Sequence, residues 1–551
     1  MKYSPYIISF VCIFSLILSC QDQSNIQASP EKDQSIKDSP LNIFFQSQIT
    51  SPDWEKLISE DQYSTTKKFV GETYRKRGES LWFSEDGLSK NGEDLIYVLN
   101  NIAGYGLDSS LFELDQIMRL IANANTKHKK FQIEIRLTSE YMKLATYFNR
   151  GFIAENTYKP IFEIDSIKPD LSQHLLDAAE KASIIESLHF LEPKVPEYAH
   201  LRNALLSFTQ NYPINTAVAK ITPFKTDSAK CYSEAGVALT LFGYLDSISS
   251  ANDSLICAAI KLFQKHNGLN PDGKPGKHTI KAFSVSNKDR LAGAQATLSK
   301  LRWSQAQNRS SYFYINIPSF TMKVVENRQY VQKHKTVVGN TWTKTPEFHA
   351  ELDHFILNPR WFVPKSISST ELLSKVQKDS TYLTRNGYVV AKGKKTISST
   401  SIDWNKITSS NFRYTISQNA GRGNALGKIK FIFPNSNSVY MHDTPSKRFF
   451  ARDIRAFSHG CIRLQNPVQL AEYIAGQQDL SVQSDSIQSK IDSQKNRKIW
   501  LKKKIAVYIE YYLVGTDENG IIEFYSNIYK KDLELIAAMN KNNPEFIAQE
   551  L

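Results

Sequence analysis

The spacing of apolar residues changes character just past the middle of the chain, and this change restricts the fold class before any motif is read. From Trp54 to about Phe224 apolar side chains return every three or four positions, as in Leu95, Val98, Leu99, Ile102 and Ala103, or Leu137, Tyr141, Leu144, Ala145 and Phe148. That is the period of helices with one buried stripe. From Tyr312 the pattern alternates instead, with Phe313, Ile315 and Ile317 set against Tyr314 and Asn316, and β-rich runs recur at Lys335–Val338, Lys430–Phe433 and Val439–His442. A length of 551 residues also exceeds several-fold the ~100–200 residues of one ordinary domain. The expected fold is multidomain α+β: a helical scaffold domain over residues 46–225, a small three-helix module over 228–285, a mainly-β domain over 305–530 and a helical tail over 531–551.

Within the module, Val237/Leu241/Tyr244 and Leu255/Ala259/Leu262/Phe263 form two apolar stripes. Asn270-Pro271-Asp272-Gly273 and Pro275-Gly276 mark turns, and a third short helix begins near Thr279. The run Ala259-Ile260-Lys261-Leu262-Phe263-Gln264, followed by Gly268-Leu269, Asp272-Gly273, Gly276 and Thr279, resembles the peptidoglycan-binding module found on many wall enzymes, and a plain helical spacer has the same turns. In the β-domain, a polar, loop-rich insertion over about 366–420 contains one helix around Glu371–Val376, and such excursions are often lids. Ile505–Val514 and Ile521–Tyr525 flank Thr516-Asp517-Glu518-Asn519-Gly520, a hairpin signal.

The first twenty residues have a basic start at Lys2, an apolar stretch from Ile7 to Leu18, and then Ser19-Cys20. This is an export signal, too short for the ~20 apolar residues of a comfortable span. Ile17-Leu18-Ser19-Cys20 resembles a bacterial lipoprotein signal, which implies cleavage before Cys20, lipidation of its thiol and a lipid anchor in a membrane. A simple secretory signal or uncleaved anchor is the alternative, and every version carries the folded part out of the cytoplasm, to the periplasm or cell envelope. Residues 21–45, rich in Gln, Ser, Asp and Lys, read as a flexible tether. Beyond them Cys231, Cys257 and Cys461 remain, an odd number, so at least one has no intramolecular partner. Cys231 and Cys257 either pair or serve as small buried hydrophobes. The net charge of +13 comes with no basic arm or nucleic-acid motif, so no nucleic-acid partner is expected.

The chemistry concentrates in Val439-Tyr440-Met441-His442-Asp443-Thr444-Pro445 and, after a loop, Arg455-Ala456-Phe457-Ser458-His459-Gly460-Cys461-Ile462-Arg463-Leu464. Pro434–Ser438 makes a turn, so His442 lies at the exit of a returning strand, a position for a base. Gly460 lets the backbone approach a substrate carbonyl, and the amides of Gly460 and Cys461 form a candidate oxyanion hole. A cysteine attacks as thiolate, and a neighbouring imidazolium lowers its pKa; His442 is the candidate source of that charge. Asn466-Pro467 reads as the start of a helix ending at Gly476 that pins the loop. No His-Glu-x-x-His, Cys-x-x-Cys or clustered Asp/His set occurs, so neither a metal nor a cofactor is expected.

A histidine, fifteen residues and then Ser-His-Gly-Cys resemble the L,D-transpeptidase (YkuD-like) catalytic domain. Val338-Gly339, Thr345-Pro346, Asn358-Pro359-Arg360-Trp361, Val363-Pro364, Gly423-Asn424-Ala425-Leu426-Gly427 and Phe433-Pro434-Asn435 are similar to its large YcbB-like members. Those members have a scaffold domain, a peptidoglycan-binding module and a capping insertion; Tyr74-Arg75, Leu81-Trp82, Gly106-Leu107-Asp108 and Leu137-Thr138 are similar to that scaffold. The resemblance implies Cys461 as nucleophile, His442 as general base, Gly460 as an oxyanion amide, and His459 as a supporting residue that orients the loop or assists the oxyanion. Arg463 either holds a substrate carboxylate or braces the loop. Trp361, Tyr440 and Asp443 fall near this site, where packing is the commoner role of strand aromatics. The implied reaction takes peptidoglycan stem peptides to 3-3 cross-links through a cysteine thioester with release of D-Ala, and carbapenems are the implied covalent inhibitors. Alternatives are an L,D-carboxypeptidase or thiol amidase on stem peptides, and a non-catalytic wall-tethering lipoprotein. A papain-like wall peptidase is disfavoured, since its cysteine precedes its histidine whereas His442 comes first.

Overall fold

The computed structural model describes residues 39–58, 66–84, 86–151, 169–247, 253–480 and 484–539. The signal segment, Cys20 and most of the proposed tether lie outside them, as does the end of the tail, whose described part holds a helix at Leu533–Met539; the tether's last residues are no tether, because Ser39 caps a helix Pro40–Ile49 that buries Leu41 and Phe45. Among the described residues no helix is long and apolar enough to cross a membrane.

The scaffold packs around the helix Lys127–Arg150, buried along most of its length. Its N-terminus is capped by the Thr126 hydroxyl, which accepts from the Lys129 amide at 3.2 Å. On this helix Glu134 accepts from the Leu81 amide, the Ser80 hydroxyl and the Tyr74 phenol at 2.6, 2.8 and 2.8 Å. Burial nevertheless pushes its carboxyl up to about 7. The next ordered unit, residues 228–285, has a small core of its own in which Cys231, Ala235, Ala238, Leu239 and Phe242 meet Ala259, Ile260, Phe263 and Phe283. The sequence-derived stripes hold in part: Ala259 and Phe263 are buried and Tyr244 packs against this core, whereas Val237, Leu241, Leu255 and Leu262 are exposed, the first helix turning Cys231, Ala235 and Ala238 inward instead. Cys231 and Cys257 are both free. The buried helix Asn287–Arg302 then joins the parts: Arg302 donates to the Tyr105 carbonyl of the scaffold at 3.0 Å, and Lys300 to the Tyr511 carbonyl of the β-domain at 2.7 Å.

The β-domain opens with β1 (Tyr312–Asn316), β2 (Thr321–Glu326), β3 (Gln329–Gly339) and β4 (Phe348–Leu357). The insertion contributes β5 (Trp361–Phe362), β6 (Tyr388–Lys392), β7 (Lys395–Ile397) and β8 (Thr415–Gln418). The domain resumes with β9 (Ile429–Ile432), β10 (Met441–His442), β11 (Ala456–Ser458), β12 (Ile462–Leu464) and β13 (Arg497–Glu510), and ends in β14 (Val514–Thr516) and β15 (Ile522–Phe524). Among the described residues nine strands form one sheet in the order β11-β3-β12-β10-β9-β4-β13-β1-β2, and β2 also pairs with β3, so the sheet curls back on itself. Its apolar face joins the scaffold in one continuous core.

Three local readings change. The insertion is a folded body rather than a loop-rich one: its four strands form a separate sheet over Leu372, Leu373, Val376, Leu383, Val390, Trp404, Phe412 and Ile416. Its strands are two to five residues long with polar outer faces, too short for alternation to register. The terminal hairpin is β14–β15, since β13 stops at Glu510 and the hairpin's first strand begins anew at Val514. The helix after the motif spans Pro467–Gln477, one residue past Gly476, and Asn466 precedes it in a left-handed conformation without capping it by its side chain.

Candidate active site

The strands around the motif fix which side chains share a surface. β10 and β12 run parallel with His442 opposite Arg463 and Met441 opposite Ile462, and β9 pairs antiparallel with β10 so that Lys430 stands opposite His442. Paired residues project to the same side, and alternate residues along a strand do too. Phe431, Met441 and Ile462 therefore enter the core. Lys430, His442 and Arg463 form a row on the other face, with Tyr440 and Cys461 one step along it. Four of the five come from the two halves of the motif; Lys430 comes from the outgoing strand of the hairpin.

The turn between β9 and β10 is held by Asn435, whose side chain donates to the Val439 carbonyl at 2.8 Å and accepts from its amide at 3.1 Å. The cysteine loop is held from β3. Thr345 donates to the Gly460 carbonyl at 2.8 Å and accepts from the Gly339 amide at 2.9 Å; Thr343 donates to the Ser458 carbonyl at 3.1 Å. Gly339 has no room for a side chain, since a Cβ there would lie 2.1 Å from the Thr343 carbonyl oxygen. Gly460 sits at φ +106°, a conformation open to glycine and strained for L side chains. Before the loop, the buried Arg455 donates to the carbonyls of Phe320, Thr336 and Arg452 at 3.0, 3.2 and 2.8 Å, which anchors the approach strand.

Cys461 is half-buried, so its thiol has an open side. Sγ lies 3.9 Å from the Ser438 carbonyl, and the Tyr440 phenol and backbone amide both donate toward it. Burial pushes the thiol up; these donors, with the cations Lys430 and Arg463, oppose that shift without overcoming it. His442 is buried, and its Nδ1 bonds the Asp443 carbonyl. A carbonyl only accepts, so Nδ1 carries the proton and the neutral ring presents the lone pair at Nε2. Desolvation and then Arg463 hold His442 down at about 3. This corrects the expectation that His442 supplies an imidazolium charge beside the thiol: the resting ring is neutral, and the nearby positive charges are Lys430 and Arg463.

The remaining motif residues divide. The Gly460 amide donates to the Ser458 hydroxyl at 3.2 Å, so its use toward an oxyanion requires that contact to be shared or released. Ser458 in turn donates to the Cys461 carbonyl at 2.5 Å. His459 points away from the row, toward Glu371 of the insertion. The Arg463 guanidinium lies 5.8 Å over the Phe449 ring and lines a groove of about 500 Å³ shared with Arg385, Tyr388, Gln418, Gly423 and Pro445. Asp443 is buried away from the thiol; it accepts from the Lys428 amide at 2.8 Å and occupies the space a Cβ on Gly427 would need. Tyr440, read as packing, is a thiol contact. Lys430 was missed, although it and His442 are equidistant from the turn's centre at Ser436, a register readable from the turn alone. Its ammonium lies 3.7 Å over the Tyr440 ring.

Comparison with known proteins matches three segments. Residues 310–501 match the L,D-transpeptidase catalytic domain, residues 68–205 the Scaffold domain, and residues 234–283 the family described as "Putative peptidoglycan binding domain". A protein of Haemophilus influenzae named "Putative L,D-transpeptidase" is 29% identical over 223 residues, which are 40% of this chain and 45% of that protein. The chain thus spans less than half the length of this relative.

Proposed function

The chain has an L,D-transpeptidase catalytic domain together with the scaffold and peptidoglycan-binding domains of the large YcbB-like architecture, and from that premise we propose that it forms 3-3 cross-links in peptidoglycan through a thioester on Cys461. The observation that carries this reading is the shared face of β10 and β12, on which Cys461 stands beside Tyr440 and diagonally from His442. A half-open thiol, a neutral imidazole with its lone pair at Nε2 and two flanking cations are the parts of a nucleophilic acyl transfer.

In the proposed cycle Nε2 of His442 takes the thiol proton as Sγ attacks the carbonyl between the diamino acid and the terminal D-Ala of a tetrapeptide stem. The C–N bond then breaks, and His442 returns the proton to the departing D-Ala amine. The amine of a second stem attacks the thioester, the new C–N bond forms as C–S breaks, and the proton lost by that amine ends on sulfur. Because thiol and imidazole are both neutral at rest, proton transfer accompanies attack instead of preceding it. Lys430, Arg463 and the Tyr440 hydroxyl stabilise the charge that gathers on sulfur. The Cys461 amide, and that of Gly460 once Ser458 yields it, face the developing oxyanion. Arg463 and Arg385 in the groove suit the carboxylates of a stem peptide. The insertion covers the thioester and favours an amine over water. The export signal with Cys20 fits an envelope protein on a lipid anchor, the module fits attachment to the wall, and carbapenem acylation of Cys461 belongs to the same reading.

The test is mass spectrometry of disaccharide-tetrapeptide incubated with the protein and with Cys461→Ala. A Cys461-dependent dimer that has lost one D-Ala supports transpeptidation. Tripeptide without dimer makes the protein a carboxypeptidase, and no product leaves a wall tether.

A further inference from the structure

The insertion touches the catalytic face at both ends of the cysteine loop. Trp361, at its base on β5, lies against the phenol of Tyr440, which in turn lies against the thiol. At the other end the Glu371 carboxylate accepts from Nε2 of His459, the residue two before the nucleophile. Glu371 lies in a π-helical turn, Ser368–Leu372, set between helical Lys365–Ile367 and the helix Leu373–Lys378. A π turn inserts one residue into a helix and re-aims the side chains around it; such turns are rare and concentrate at functional sites. Here Leu372 and Leu373 enter the insertion core while Glu371 turns outward to the motif.

The pair is not there for stability. The His459 and Glu371 side chains are 38% and 47% exposed, and pairs so open to water contribute little to folding. The insertion folds on its own core, so this contact is free to break and re-form without unfolding either side. A weak, reversible contact between a separately folded cover and the residue beside the nucleophile has the properties of a latch.

We propose that Glu371 is a positioning residue that holds the insertion closed over acylated Cys461 through His459, and so selects an amine over water as the acceptor. The inference rests on the transpeptidase reading above. In both branches the thioester C–S bond breaks and the acceptor's proton ends on sulfur. With an amine the new bond is C–N and the product a dimer; with water it is C–O and the product a tripeptide acid. An opened insertion admits water and moves flux to the second branch.

The experiment incubates the full-length chain in detergent with disaccharide-tetrapeptide and reads the dimer-to-tripeptide ratio for the wild type, Glu371→Ala and Glu371→Gln. The ratio is independent of how much total rate any variant loses. Loss of an exposed contact of this kind corresponds to a fall of about fourfold in Glu371→Ala. Glu371→Gln still accepts from Nε2–H and keeps the ratio within about twofold of wild type. A dimer-forming wild type whose ratio is unchanged in Glu371→Ala overturns the latch alone. A wild type that yields no dimer overturns the transpeptidase reading and the latch with it.

Discussion

β10, which holds His442, and β12, which Cys461 immediately precedes, lie inside a nine-stranded sheet whose core continues into the scaffold, whereas β5 to β8 form a separate four-stranded sheet on their own apolar cluster. The first arrangement fixes geometry. The strands around the row are paired on both sides, and the cysteine loop is tied to the segment that follows β3 through Thr345 and Thr343. The second arrangement leaves a body that can shift without disturbing the sheet. The enzyme proposed here thus keeps its nucleophile beside strands paired on both sides and its cover on a body with a sheet and core of its own, the division expected where a site must be rigid yet opened each turnover.

The largest effect belongs to the rigid side. Cys461→Ala abolishes both dimer and tripeptide, while circular dichroism and the melting temperature stay at wild-type values because the half-buried thiol is not part of the core. The next belongs to the cover. Trp404 is buried in the insertion cluster and donates its indole N–H to the Ser399 carbonyl at 2.8 Å. Trp404→Ala removes about 3–5 kcal/mol from that cluster. Hydrogen exchange then shows β6 and β8 amides losing protection while those of β4 and β13 keep theirs. If all four lose protection together, the two regions are one cooperative unit and the comparison fails.

A pH effect follows from His442. Its pKa is lowered in the fold to about 3, so below the ordinary histidine value the unfolded chain binds a proton that the native protein does not. Stability from this group is full above pH ~6.5 and is lost as pH falls toward the folded value. At pH 4.5 the loss is about 2–3 kcal/mol relative to pH 7.5. Other buried groups titrate in the same range, Glu134 among them with the opposite sign. The measurement is therefore the difference between wild type and His442→Gln in urea melts at both pH values.

These contrasts also mark what the sequence discloses. The three folding units and the hairpin turn follow from periodicity and turn chemistry, because local propensity and the apolar pattern agree there, whereas the parallel pairing of β10 with β12 joins distant segments and has no local signature. Even Lys430 was accessible from the register on either side of Ser436. The module's buried face was legible only in part, since Ala259 and Phe263 are buried as their stripe implies but the first helix buries Cys231, Ala235 and Ala238 and leaves Val237 and Leu241 outside. The neutrality of His442 depends on burial and on Arg463 across the ladder, and the Glu371–His459 contact spans 88 positions; neither has a local signature.

A smaller effect tests the ties behind the nucleophile. Thr345→Val leaves the Gly339 amide and the Gly460 carbonyl without their shared partner in a buried place, at about 2 kcal/mol. The loss is read as a lower urea midpoint at unchanged slope.

The smallest and most specific effect concerns charge. Lys430 lies over the Tyr440 ring and faces the thiol; its own pKa is lowered by burial, which the thiol's charge partly offsets. A cation desolvated beside a thiol acts through a poorly screened field, so its removal raises the thiol pKa further. Below that pKa the thiolate fraction, and with it the rate of alkylation by iodoacetamide at pH 8, falls about tenfold in Lys430→Met. Lys430→Arg keeps the charge and most of the rate. Lys375 supplies the control: it lies 5.5 Å over the Tyr382 ring inside the insertion, a similar cation–aromatic pair on the other body. Lys375→Met leaves alkylation unchanged if the sheet alone tunes the thiol. Equal losses in the two methionine variants mean instead that the thiol responds to the protein's overall charge, and the separation of rigid site from independent cover does not extend to electrostatics.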